Sequence, residues 1–352
     1  MHRPLAQIEM SCVRRFSGPA IELSTVPSPC VDQMDLLLDS VLGAIGRTPL
    51  VALDRLSAAE GIKPRILAKL EYFSPGASVK DRAALRMLEE AEKSGALRPG
   101  QMVIELTSGN MGIGLAVVCA VKGYRFTAVM SRGNSKERWR VMKALGAKVV
   151  LVAQARGGVP GKVTGEDLAR VEKKAQELTR QEGAFRVDQF KNPANPAAHR
   201  DGTAEEIWDQ SEGRVDNFVA IAGTGGTFVG ISAGLKKHNP NVMCFVVEPA
   251  GAPVLAGRPV TAPRHKIQGT GYALVPGIWD PSLCDGYLTV TDTEAVQTAR
   301  LLASREGILS GFSGGANVAA SMKLAKKLPA DKTVVTVIPD TGLKYLSTDL
   351  FP

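Results

Sequence analysis

The sequence predicts an α/β protein whose parallel sheets are covered by helices, divided into two domains with a cleft between them. Three observations carry this. Short, nearly continuous apolar runs such as "MVIEL" at 102–106 and "TVVTVIPD" at 333–340 recur along the chain. Strands that are apolar on both sides belong to parallel sheets buried under helices. Helical segments separate these runs, and the alternation occurs in two sets, over a chain of 352 residues.

The elements follow in order. "MGIGLAVVCAVKG" is a mostly buried helix stopped by Gly123. "RFTAVM" is a strand, "SKERWRVMKALG" a helix capped by Ser135, and "AKVVLVA" a strand. A polar helix covers roughly 165–182, and "FRVDQF" follows it. Strand "NFVAIAG" leads into a helix from Thr227, and "CFVVEP" and "YLTVTD" are further strands. Helices at 293–306 and 315–328 precede the last strand. Residues 1–40 differ from the rest: they hold prolines and arginines with little periodicity, and read as an appended N-terminal arm. Arg3, Arg14 and Arg15 suit an organellar presequence, whereas Glu9 and Glu22 argue against one. With no apolar signal-peptide stretch, the expected location is cytoplasmic, with the arm leaving a mitochondrial one open.

Composition narrows the function. The chain is 44% hydrophobic and 22% charged, and no apolar run reaches membrane-spanning length. Its formal charge of +8 is spread among acidic residues along most helices, which favours small anionic ligands over nucleic acid. The five cysteines are scattered without a CxxC pair, and the four histidines form no ligand cluster, so no metal is expected.

Ligands of open α/β sheets sit at the carboxyl ends of strands. After "NFVAIA" comes Gly223-Thr224-Gly225-Gly226-Thr227, a glycine-rich turn into a helix. It reads either as a phosphate cup, with free N–H groups at a helix start, or as a plain tight turn. It is not a P-loop, and Phe228 replaces the third glycine of a dinucleotide fingerprint. After "MVIEL" comes Thr107-Ser108-Gly109-Asn110, which suits a carboxylate or simply caps a helix. Between two later helices, "GFSGGAN" places Ser313 before two glycines. Lys80 in "SVKDR" starts a helix, where a positive charge is disfavoured. It is either a solvated surface lysine or a placed one. A phosphate, a carboxylate and a lysine together describe pyridoxal 5'-phosphate carrying an amino acid.

Ordered blocks then carry a resemblance. "IGRTPLV", "SVKDR", "TSGN", "DQFKNPANP", "GTGGT", "HKIQGTG", "SGGA" and "DTGLKYLST" run from about residue 41 to the end. In them the chain resembles the β-substituted alanine synthases, the fold-type II (tryptophan synthase β-like) pyridoxal phosphate enzymes that include cysteine synthase, β-cyanoalanine synthase and cystathionine β-synthase. The resemblance implies a larger cofactor-binding domain from 41–83 and 191–352, and a smaller mobile substrate domain at 84–190. It implies that Lys80 holds the cofactor's aldehyde and moves the α-proton, and that Asn110 bonds the ring oxygen. Gly223, Thr224, Gly225, Gly226 and Thr227 hold the phosphate, and Ser313 meets the ring nitrogen. Thr107, Ser108, Gly109, Met111 and Gln189 meet the substrate. A homodimer is implied as well.

The implied reaction is β-replacement, giving cysteine from O-acetylserine and sulfide, β-cyanoalanine from cysteine and cyanide, or both. A cystathionine β-synthase-like enzyme and a catalytically silent amino-acid sensor are the alternatives. The chain ends too soon after "KYLSTDLF" for the regulatory module of long cystathionine β-synthases, and no haem-ligating Cys-Pro-His stretch lies near Cys30. Met111 departs from the threonine usual in cysteine synthases and resembles plant β-cyanoalanine synthases. Ala220 matches neither group, Thr224 looks like a cysteine synthase, and Tyr272 stands where a small residue is common, narrowing the pocket mouth.

Overall fold

The computed structural model describes residues 37–351, so nearly all of the expected arm lies outside the described residues. The strands are β1 Leu50–Ala52, β2 Arg65–Leu70, β3 Val103–Leu106, β4 Phe126–Ser131, β5 Lys148–Val152, β6 Phe185–Arg186, β7 Asn217–Ile221, β8 Met243–Pro249, β9 Gly286–Val290 and β10 Thr333–Ile338. The helices are α1 Asp54–Ala59, α2 Lys80–Lys93, α3 Asn110–Lys122, α4 Lys136–Ala144, α5 Gly165–Glu182, α6 Ala194–Ala198, α7 Ala204–Gln210, α8 Gly226–His238, α9 Asp292–Leu301 and α10 Phe312–Ala325.

Two sheets result. One has six strands in the order β1-β2-β10-β7-β8-β9, and the other four in the order β5-β4-β3-β6. All neighbours run parallel except β1 and β2, where Leu50 faces Lys69 in an antiparallel pair. The sheets are parallel as expected, with one antiparallel edge strand added by β1. Neither β1 nor β2 was expected as a strand. β1 has three residues, and β2 carries Arg65 and a buried Lys69 that interrupt its apolar pattern.

Each sheet has its own apolar core. α2 and α3 face each other through Ala83, Met87 and Leu88 against Ile113 and Leu115, beside the four-stranded sheet. α10 lies against the six-stranded sheet through Phe312, Ala316 and Ala320. Among the described residues no helix is long and apolar enough to cross a membrane.

Several local expectations stand and others need correction. Gly123 ends α3 in the left-handed conformation at φ +77°, its N–H donating to Cys119 O. Ser135 occupies the N-cap position of α4, but its hydroxyl donates to Lys344 O at 3.2 Å instead of capping. "FRVDQF" forms only the two residues of β6. Asp188 turns the chain at φ +53°, and the amides of Asp188 and Gln189 go to the buried Glu105 carboxylate. The helix expected over 293–306 ends as α at Leu301 and continues as a π turn, Leu302–Glu306.

Candidate active site

The turns after β3 and β7, the start of α2 and the start of α10 converge on one cavity. Lys80, Thr107, Ser108, Gly109, Asn110, Met111, Gln189, Gly223, Thr224, Gly225, Thr227 and Ser313 all line it. Gly226 does not. It is buried behind the turn, where a Cβ would fall 2.2 Å from Asn195 Oδ1.

Lys80 is the first residue of α2, and no side chain caps that helix. Its position is set by its neighbours. The Asp81 carboxylate accepts the Gly76 N–H at 2.5 Å, fixing the loop before the helix. Arg82 Nε donates to Glu71 at 2.7 Å, and its terminal nitrogens donate to Glu206 at 2.5 and 2.7 Å. The chain thus places Lys80 Nζ inside the molecule, 3.5 Å from Thr227 Oγ1. Burial lowers its pKa to about 8, against the raising influence of Asp340 and Glu71. A buried amine that is partly neutral near physiological pH is a nucleophile and a base, which a surface lysine is not.

The Gly223–Thr227 turn is held open by close approaches. A Cβ at Gly223 would come 2.3 Å from Gly269 O, and Gly225, the N-cap of α8, has φ +87°. No side chain therefore intrudes between the cavity and the first amides of α8, which suits an anion. Two residues that sequence reasoning missed brace it. Asn195 Nδ2 donates to Gln189 O at 2.8 Å and to Thr224 Oγ1 at 3.2 Å, joining the two walls. His199 lies 3.4 Å from Thr227 Oγ1 and 3.0 Å from Thr203 Oγ1. Burial, with Lys80 and Arg82 nearby, holds its pKa well below the usual range, so it acts as a neutral hydrogen-bonding group. Asn195 stood within "DQFKNPANP", a signal that could have found it; His199 carried none.

The turn after β3 is equally built. Thr107 Oγ1 accepts the N–H groups of Gly109 and Gly112, each at 2.9 Å, leaving its own proton for a ligand. Gly109 has φ +139°, and a Cβ there would meet Arg138 Cδ at 2.3 Å. Ser108 Oγ hydrogen-bonds the Tyr272 hydroxyl, and Arg138 donates to Ser108 O. Gln189 Nε2 donates to Leu106 O at 2.8 Å. Asn110 is held at both ends: Nδ2 donates to Asp340 at 2.8 Å, and Lys344 Nζ donates to Oδ1 at 3.0 Å. Asp340 also accepts the Tyr345 hydroxyl at 2.6 Å. Asp340, Lys344 and Tyr345 fall inside "DTGLKYLST", whose roles the sequence did not assign.

A half-buried amine of lowered pKa, a glycine turn at a helix start and a hydroxyl- and amide-rich second turn suit an enzyme that handles an amino acid through an aldehyde cofactor. The comparisons agree. The model of the family described as "Pyridoxal-phosphate dependent enzyme" matches residues 41–340, and the chain belongs to this family. It is 43% identical over 318 residues to a cysteine synthase of Staphylococcus aureus, covering 89% of this chain and 97% of that protein. It is similar in structure to O-ureido-L-serine synthase, with TM-score 0.81, 42% identity, and coverage of 90% and 95%. It is similar too to isoform 3 of O-acetyl serine sulfhydrylase from Entamoeba histolytica, with TM-score 0.82, 39% identity, and coverage of 90% and 92%. The protein is a cysteine synthase-type enzyme dependent on pyridoxal phosphate. The residues present fit that cofactor: Gly223, Gly225 and Thr227, whose turn runs into the start of α8, line one cavity with the Lys80 amine and the Ser313 hydroxyl.

Proposed function

We propose that this protein catalyses β-replacement on an O-activated serine, with O-acetylserine as donor and sulfide as acceptor, giving cysteine. The observation that carries this is the half-buried Lys80 amine, its pKa lowered to about 8, which shares one cavity with Gly223, Thr224, Gly225 and Thr227 and with the Thr107–Asn110 turn. Pyridoxal phosphate, when bound, supplies an aldehyde that holds amines and a ring that draws electrons from the substrate's Cα. The glycine turn and Thr227 hold its phosphate, Lys80 its aldehyde, Asn110 and Ser313 its ring. Thr107 Oγ1–H, the turn amides and Gln189 orient the substrate carboxylate. Lys80 Nζ, with its pKa near 8, takes the proton from Cα and returns it. Relatives named cysteine synthase and O-acetyl serine sulfhydrylase support this choice of substrates.

The cyanide reaction is the second reading, and Met111 favours it. Its side chain is 2% exposed and packs in the α2/α3 core while also lining the cavity, so that wall is apolar. Assays of the holoenzyme with O-acetylserine plus sulfide, and with cysteine plus cyanide, test both. Absence of cysteine formation overturns the main reading, and absence of any turnover favours a silent sensor. Met111→Thr adds one hydrogen-bonding hydroxyl, worth about 0.5–1.5 kcal/mol, so it should raise the sulfide-to-cyanide ratio about threefold to tenfold. A ratio that falls or stays put makes Met111 a packing residue only. The homodimer is part of the same proposal, and light scattering of the purified protein decides it.

A further inference from the structure

Arg138 of α4 is only 1% exposed, yet it lines the catalytic cavity beside Ser108 and Gly109. Burying a cation is costly unless an anion accompanies it. Arg82 and Arg186, also largely buried, each hold two carboxylates. Among the described residues Arg138 has none within 4.0 Å. Its Nη1 donates to Ser108 O and its Nη2 to the Tyr345 hydroxyl at 2.7 Å, while Nε has no partner. Through Tyr345 it reaches Asp340, but that carboxylate is shared: it also accepts from Asn110 and faces Lys344 and Lys80. The charge is felt at the cavity wall. Burial raises the pKa of Tyr272, opposed by its hydrogen bond to Ser108 and by Arg138.

The Ser108–Gly109 peptide carries this charge to the ligand side of the turn. Its carbonyl accepts from Arg138, and its N–H donates to Thr107 Oγ1 at 2.9 Å. A hydrogen bond at one end of an amide polarises the other end, so the N–H becomes a stronger donor, and the hydroxyl that accepts it becomes a stronger donor in turn. Glycine at 109 makes the approach possible, since a Cβ there would collide with Arg138 Cδ. The side chains of the turn itself, Thr107, Ser108 and Asn110, and the neighbouring Gln189 are all neutral. They can orient a carboxylate but cannot balance its charge.

We propose that Arg138 supplies the counter-charge for the substrate carboxylate, acting through the Ser108–Gly109 peptide and the Thr107 hydroxyl. It is a positioning residue, because it works through the turn. The inference rests on the reading above that this turn holds the carboxylate. It makes the free α-carboxylate of the first substrate a requirement of charge as well as of shape, so an amide in its place gains nothing from Arg138.

Calorimetric titration of the holoenzyme with alanine and with alaninamide tests it. Alanine has the carboxylate and no leaving group, so the readout is binding alone. Arg138→Met should weaken alanine about tenfold or more and alaninamide less than about threefold. Arg138→Lys keeps the charge and should bind alanine within about threefold of the parent. Equal losses for the two ligands, or a lysine variant as weak as the methionine one, make Arg138 a brace only and overturn the proposal. If Arg138→Met does not fold, Arg138→Gln, which is neutral and keeps an N–H donor, takes its place under the same criteria. If the amide does not bind measurably to the parent, the comparison with Arg138→Lys decides alone. Thr107→Val separates the underlying reading: alanine affinity unchanged there means that the turn does not hold the carboxylate, and both fall. Alanine weakened in Thr107→Val but not in Arg138→Met overturns this inference only.

Discussion

Lys344 Nζ donates to Asn110 Oδ1 across 3.0 Å, joining residues 234 positions apart in the chain. The same ammonium donates to Gly76 O at 2.8 Å and Ala77 O at 3.0 Å, in the loop that leads to Lys80. One buried side chain from the C-terminal segment therefore ties the turn after β3 to the loop before α2. Burial lowers its pKa to about 8, opposed by Asp340 and Asp81. Lys344→Met should free Asn110 and that loop together. Hydrogen bonds to a charged group are worth about 1.5–3 kcal/mol, so cofactor affinity should fall about tenfold to a hundredfold. Absorbance titration of the apoprotein with pyridoxal phosphate measures it, and parent-like affinity would show that Asn110 holds its place unaided.

Lys80→Ala should abolish covalent retention of the cofactor and turnover. Borohydride reduction followed by peptide mass spectrometry checks it, and a trapped linkage on another lysine would refute the assignment. The parent enzyme adds a pH test. Only the neutral amine attacks an aldehyde, and with a pKa near 8 about a tenth of it is neutral at pH 7. Cofactor capture by the apoprotein should therefore accelerate from pH 6 to about 8 and then level off. An exposed lysine would keep accelerating toward pH 10.

Gly225→Asp should prevent cofactor binding through two effects. The position has φ +87°, which costs a residue with a Cβ about 1–2 kcal/mol, and the added carboxylate repels phosphate at the turn. A loss of affinity of about a hundredfold is expected. Gly225→Ala carries the strain without the charge, so its smaller loss in the same titration separates the two. Equal losses would place the phosphate elsewhere.

Glu206 gives a pH-dependent stability prediction. Burial alone would raise its pKa, but Arg82 and Lys69 override this and hold it at about 2, below the ordinary 4.5. A depressed carboxylate stabilises the fold above its unfolded pKa, and this is lost as pH falls through the folded one. Glu206→Gln should thus cost about 3 kcal/mol near pH 7, the low end for breaking a buried pair. The difference should shrink from about pH 4.5 down to pH 2. Urea denaturation across that range measures it, and a gap independent of pH would assign the loss to packing.

Much of the fold and site was legible because it is encoded locally. β3, β4, β7, β8 and β10 are buried runs, and buried parallel strands need no partner pattern to be seen. Gly225, Thr107 and Gly109 act through their own turns, where a positive φ or a two-residue hydrogen bond suffices. Lys80 stood out because a cation at a helix start is locally unfavourable. β2 was hidden because Lys69 looks like a surface residue until Glu206, far along the chain, is brought 2.7 Å from it.

By itself, then, the sequence determined the α/β alternation and the family, and it singled out the Gly223–Thr227 turn and Lys80 as the proposed cofactor residues, each a matter of short-range spacing. The tertiary structure alone decided that Lys344 clasps Asn110, that Asn195 joins Gln189 to Thr224, and that Arg138 bonds Ser108 and Tyr345 at the catalytic cavity. The physical reason is that these groups take their meaning from burial and from partners remote in sequence. A lysine or an asparagine read alone is polar surface; enclosed, it must find a charge, a carbonyl or a ligand to replace the water it lost.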